Sequence, residues 1–152
     1  MRKDLLSYDY GLRIFYGYTD MNNYGLRKNN LIYPELSYKI IGTLFNVWNG
    51  VGSNHKESFY QKAAVRDFKE AGLSFKQQLP AKIIYKDEFV GVYYFDFLVE
   101  DKIVLELKVR DYFSKKDITQ AFSYLKAKKL KLGIIAHFTK TGVRIKRVVN
   151  VN

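Results

Sequence analysis

Asp96, Glu106 and Lys108 stand where a buried strand normally carries no charge. They interrupt two apolar runs, within Tyr94-Phe-Asp-Phe-Leu-Val-Glu-Asp-Lys-Ile-Val-Leu-Glu-Leu-Lys-Val109, that meet at a short polar turn. Alternation puts Ile103, Leu105, Leu107 and Val109 on one face of a strand and Val104, Glu106 and Lys108 on the other. A hairpin loop of Glu100, Asp101 and Lys102 sets Asp96 opposite Glu106, with its side chain on that second face. Two carboxylates and an ammonium on one patch of an apolar sheet imply a metal, a ligand or a tight ion network, because charges are rarely buried alone. Such a set suits phosphodiester hydrolysis: a divalent ion on carboxylates activates water and neutralises charge that develops on phosphorus oxygens. A solvent-side Glu106–Lys108 salt bridge on an open sheet face, worth little in stability, is the competing explanation.

Composition narrows the chemistry. There is no cysteine, so disulfides, thiolate zinc sites and a cysteine nucleophile are excluded. Two histidines, His55 and His137, are too few for a typical histidine-based metal site. Carboxylate ligands favour hard ions: magnesium, manganese or calcium. With 26 Lys+Arg against 15 Asp+Glu, the net charge of +11 points to a polyanionic partner, and nucleic acid is the commonest. Basic residues crowd the last third: Lys115, Lys116, Lys126, Lys128, Lys129, Lys131, Lys140, Arg144, Lys146 and Arg147. No apolar run approaches a membrane span, and Met1 to Ile14 is broken by Asp4, Tyr8, Asp9, Tyr10 and Gly11; a cytoplasmic protein with no membrane partner is expected.

The elements that must position these groups follow from periodicity. At 152 residues and 47% hydrophobic, the chain has material for a single core. Residues 1–33 hold six of the 13 tyrosines without a sustained period, and read as a poorly ordered extension or an aromatic basic arm. From Pro34 the pattern is regular. A helix spans Leu36 to Trp48, and a second runs from Asn54 to Ala71 before Gly72. Strands follow near Phe75–Tyr85, Phe89–Val99 and Ile103–Val109, then a helix over Lys115–Lys129 and strands near Leu132–Phe138 and Val143–Val149. The order is α-α-β-β-β-α-β-β, an α+β domain over residues 34–152. Glu57, three residues after Asn54, is explained locally as the partner in a capping box. On the third helix, Ile118, Ala121, Phe122 and Leu125 form the packing face, and Gln120 and Tyr124 lie on a polar flank with Asp117, Lys128 and Lys131.

Taken together, a helical glutamate, then Asp96, then Glu106-Leu107-Lys108, resembles the PD-(D/E)XK nuclease superfamily. Within it the chain is similar to the GxxExxY family, through Leu36-Ser-Tyr-Lys-Ile-Ile-Gly42, Glu57-x-x-Tyr60, the Asp96 strand, Val104-Leu-Glu-Leu-Lys108 and Gln120 to Tyr124. The likeness covers about residues 35 to 150, and the spaced motifs are more specific together than singly. Two positions depart from the pattern: Asn54 stands where the family has glycine, and Phe95 where the superfamily has proline before the aspartate. The resemblance implies a restriction-endonuclease-like core, a mixed central sheet flanked by helices. It implies a magnesium- or manganese-dependent nuclease acting on nucleic acid, with DNA the expected substrate. By the same resemblance Asp96, Glu106 and the Leu107 backbone carbonyl ligate the metal, Glu57 does so directly or through water, and Lys108 orients the water or steadies the transition state. Gln120 and Tyr124, a Gln-x-x-x-Tyr pair as in RecB-like nucleases, would position substrate with Lys128, Lys131 and Tyr60. Two alternatives stay open: a non-catalytic nucleic-acid-binding protein on the same fold, and a partner-binding module whose charges form an ion network.

Overall fold

Pro34 fixes the start of the first helix, α1 (Pro34–Val51), supplying a helical φ where the missing N–H is no loss. The structure, a computed structural model, describes the backbone of Tyr8–Asp9 and Leu12–Tyr16, and residues 32–151. Tyr33 takes left-handed backbone (φ 49°), and its carbonyl accepts from the Ser37 N–H at 2.9 Å. The second helix, α2 (Glu57–Glu70), ends at Gly72, whose φ of 68° lets the Leu73 N–H reach back to the Phe68 carbonyl. α2 begins at Glu57 with no side-chain cap, while Asn54 lies outside it in left-handed backbone (φ 63°). The expected capping box between Asn54 and Glu57 is therefore absent, and the Glu57 carboxylate is not committed to the helix start.

The remaining strands and helix follow the expected order. They are β3 (Phe75–Tyr85), β4 (Glu88–Val99), β5 (Ile103–Lys108), α3 (Lys115–Lys128), β6 (Leu132–Thr139) and β7 (Gly142–Asn150). β1 (Tyr8–Asp9) and β2 (Leu12–Tyr16) lie within the segment read as an extension, and β2 pairs antiparallel with β7; the rest of residues 1–31 lies outside the described residues. The sheet order is β1-β2-β7-β6-β5-β4-β3, parallel only between β5 and β6, which α3 connects. The chain thus has a mixed α+β fold with its sheet flanked by helices.

Two apolar clusters hold the layers. Tyr60, Ala64 and Phe68 on α2 and Ile40, Leu44 and Val47 on α1 meet Phe97, Leu105 and Leu107 on one side of the sheet. On the other, Ile118, Ala121, Tyr124 and Leu125 of α3 meet Phe95, Val104, Ile135 and Val148. Burying large side chains on both faces gives each roughly 1.5–3 kcal/mol of driving force. Consecutive odd residues of β4, Phe95 and Phe97, belong to opposite clusters, so strict alternation slips at Asp96. Gln78, at the matching point of β3, is left-handed (φ 53°).

Candidate active site

The β4–β5 hairpin has the expected register, Val99 opposite Ile103 and Phe97 opposite Leu105, closed by Glu100–Lys102. Pairing stops at Phe97. At the next step the Leu107 N–H donates to Asp96 Oδ2 at 2.7 Å, so a carboxylate takes a bond that a continuing ladder would have made. Gln61, one turn after Glu57 on α2, donates its Nε2–H to Asp96 Oδ1 at 2.7 Å. The slip therefore turns Asp96 into the fork between β4 and β5, against α2, rather than squarely onto the Glu106 face as alternation alone implied. Glu106 and Lys108 do share the α3 side with Val104, and Lys108 Nζ lies 3.0 Å from Glu106 Oε1.

Electrostatics tie the group together. Burial raises the Asp96 pKa to about 6; the Leu107 N–H opposes the rise, the Glu57 charge adds to it, and Lys108 counteracts it. Glu106 rises to about 7, first from burial and then from the charge on Asp96, with Lys108 opposing. The two carboxylates titrate as a pair, the charge on Asp96 resisting ionisation of Glu106. Burial works to lower the Lys108 pKa, but Glu106, Glu57 and Asp117 outweigh it and the net shift is upward. One lysine cannot neutralise this many carboxylates, and Glu106 Oε2 is buried with no hydrogen-bond partner.

That orphaned oxygen is the observation that fits a cation. An anionic acceptor buried without a donor costs several kcal/mol unless something positive satisfies it. Among the described residues, no group of three or more His, Asp or Glu side chains is gathered closely enough to hold a metal by itself. The donor set on offer is therefore Asp96 and Glu106, with backbone oxygen or water completing it and half-buried Glu57 acting at longer range. All-oxygen donors of this kind suit magnesium or manganese.

A sheet forking at an aspartate, followed by Glu-x-Lys on the next strand, is decided by comparison: the model of the PD-(D/E)XK nuclease superfamily matches residues 34–148. The chain belongs to the PD-(D/E)XK nuclease superfamily. No curated protein and no solved structure matches it significantly. Among the described residues, no helix is long and apolar enough to cross a membrane.

The other expected site residues of this superfamily member are scattered. Tyr60 is 1% exposed, stacks on Phe138 with ring centroids 4.2 Å apart, and donates its hydroxyl to the Gly52 carbonyl at 2.6 Å. It is a core residue, and its placement among substrate contacts is corrected. Tyr124 is also largely buried, its ring 4.8 Å from that of Phe95, instead of lying on a polar flank. Gln120, Tyr124 and Lys128 line an open cleft of about 670 Å³ between α3 and the β3–β4 hairpin, together with Lys82 and Tyr93. Lys131 is exposed.

Three features were missed. Gln61 lies one turn from Glu57, which is a readable signal once α2 is known to lie against the site. Lys146 is 1% exposed with its Nζ 4.5 Å from the Phe113 ring centroid, and burial lowers its pKa to about 8; it is not one of the surface cations that the sequence implied. His137 is fully buried and stacked on Phe113 at 3.9 Å, and its pKa falls to about 4 through burial and the nearby charges of Arg110, Lys146 and Lys108. Strand parity places both on the Glu106 face, a relation that needs the β5-β6-β7 order to be seen.

Proposed function

We propose that the protein is a divalent-metal-dependent nuclease that hydrolyses phosphodiester bonds, with DNA as substrate. The observation that carries this reading is the buried, unpartnered Glu106 Oε2 beside Asp96, on a chain of net charge +11. Asp96, Glu106 and the Leu107 carbonyl would hold magnesium or manganese, with Glu57 acting directly or through water. When bound, such an ion lowers the pKa of water and offsets charge on the reacting phosphate.

The chain's own residues supply the rest. Gln61 and the Leu107 N–H fix the two oxygens of Asp96 in one orientation, leaving their remaining lone pairs for the site. Lys108, held by Glu106 and kept protonated by the surrounding carboxylates, presents an ammonium that orients the attacking water or stabilises the phosphorane. Gln120, Tyr124 and Lys128, on the cleft wall, position the polynucleotide, and Lys131 extends the basic surface.

A second reading, a nucleic-acid-binding protein without catalysis, is favoured by one observation: the missing third metal-ligating side chain among the described residues. Incubating purified protein with labelled linear, circular and single-stranded DNA and with RNA, in magnesium, manganese or EDTA, separates the two. The nuclease reading expects metal-dependent cleavage that falls by at least about 100-fold in Asp96→Ala, Glu106→Ala and Lys108→Ala. Equal cleavage by wild type and Glu106→Ala contradicts it.

A further inference from the structure

The sheet forks at the candidate active site. β4 pairs with β5 only from Phe97 to Val99, whereas its stretch from Glu88 to Phe95 has β3 as its sole strand partner among the described residues. This free prong is a two-stranded ribbon, an arrangement with little stability of its own in water. One face turns toward α3, where the Tyr93 hydroxyl donates to the Gln120 carbonyl. The other face is set by register: Tyr94 pairs with Pro80, Val92 with Lys82, and Phe89 with Ile84. Pro80, Lys82 and Ile84 alternate, so their partners share their face.

That face is bare. Tyr94 is 53% exposed, Phe89 59%, Ile84 56% and Val92 39%. A contiguous exposed apolar strip marks a binding surface more often than an accident of folding. Its position is informative: Tyr94 is the second residue before Asp96, about 7 Å along the strand. Tyr93 and Phe95 face α3, so Tyr94 and Val92 face the α2 side, where Gln61 holds Asp96. A strand of nucleic acid that leaves Asp96 along β4 on that side runs over Tyr94 and then Val92.

We propose that this ribbon face is a stacking platform for unpaired nucleotides beside the scissile phosphate, and that the substrate of the site is therefore single-stranded nucleic acid or a frayed end; the inference rests on the nuclease reading above. A duplex presents phosphates outward and is gripped by cations, but β4 carries no charge between Glu88 and Asp96. Unpaired bases present π-faces, which aromatic side chains on an open sheet bind without sequence preference. The competing occupant, a second copy of the chain, must bring two molecules of net charge +11 together, which opposes association where a polyanion is attracted.

The test is fluorescence anisotropy in EDTA with labelled oligothymidine and the matching blunt duplex, alongside light scattering of the free protein. The proposal expects tighter binding to the single strand. It also expects Tyr94→Ala and Phe89→Ala each to weaken that binding by about tenfold, with duplex binding unchanged and Tyr94→Phe close to wild type. Unchanged melting temperatures of these exposed-site variants guard against misfolding. Preference for duplex, or single-strand affinity insensitive to both alanine variants, overturns it. So does a dimer that these substitutions dissociate without loss of single-strand affinity. Binding needs no cleavage: ribbon-dependent single-strand binding without metal-dependent hydrolysis removes the nuclease reading and leaves the platform. Hydrolysis by wild type with no ribbon dependence does the reverse.

Discussion

On the α1–α2 side of the sheet, Phe97, Leu105 and Leu107 pack against Phe68 and Leu44 in an apolar cluster. On the α3 side, the intervening residues of β5 and their neighbours on β6 and β7 include Glu106, Lys108, His137 and Lys146, all held at least half out of water. The first arrangement is what folding favours. The second opposes folding, since each desolvated charge must find compensation that Glu106 Oε2 lacks. A sheet stabilised by apolar clusters on both faces can carry a costly, chemically poised patch within one of them.

Breaking the apolar side has the largest effect. Phe97 is 1% exposed and lies edge-on to Phe68 and Phe75. Phe97→Ala is expected to cost about 3–5 kcal/mol in urea unfolding and to abolish function with the fold. Neutralising the poised side acts in the opposite sense. Asp96 and Glu106 have folded pKa values of about 6 and 7, above their ordinary 3.8 and 4.5. The folded state therefore binds their protons more tightly than the unfolded chain. Their favourable contribution is complete below about pH 4 and is lost as pH rises through 6 to 7. Each pH unit between the unfolded and folded values corresponds to roughly 1.4 kcal/mol. Metal-free Glu106→Gln is thus expected to gain on wild type by a few kcal/mol between pH 5 and pH 8. A constant difference across that range, read from paired thermal melts, contradicts the repulsion.

Smaller effects sharpen the boundary between the two sides. Gln61→Ala removes a donor from a buried carboxylate and is expected to cost about 1.5–3 kcal/mol where Asp96 is ionised, and less near pH 5. Tyr60→Phe removes only the hydroxyl bond to Gly52 and is expected to cost about 1 kcal/mol with nucleic-acid affinity unchanged. A loss of affinity in Tyr60→Phe would return that residue to the site.

Much of this contrast was legible in the residues. The order of elements and the register around Glu100–Lys102 follow from apolar alternation broken by a polar turn, and the Glu106–Lys108 pairing from strand parity. The slip at Asp96 was not legible: it lies opposite left-handed backbone at Gln78, a residue type that gives no such signal. Tyr60 was readable and misassigned: Tyr60, Ala64 and Phe68 recur every fourth residue as a core stripe, and Glu57 and Gln61 form the adjacent one. The buried positions of His137 and Lys146 needed the order of β5, β6 and β7, which no local pattern encodes.

The central claim is that Asp96 and Glu106 form an under-compensated anionic site that a divalent ion completes. Thermal melts of wild type and Glu106→Gln near pH 7.5, each in EDTA and in millimolar manganese, test it without knowledge of the substrate. The account predicts that Glu106→Gln matches or exceeds wild type in EDTA. It predicts that manganese raises the wild-type midpoint, because the ion binds only the folded state, and that the variant responds much less. A variant less stable than wild type in EDTA, with neither protein responding to manganese, would show instead that Glu106 and Lys108 are a structural salt bridge.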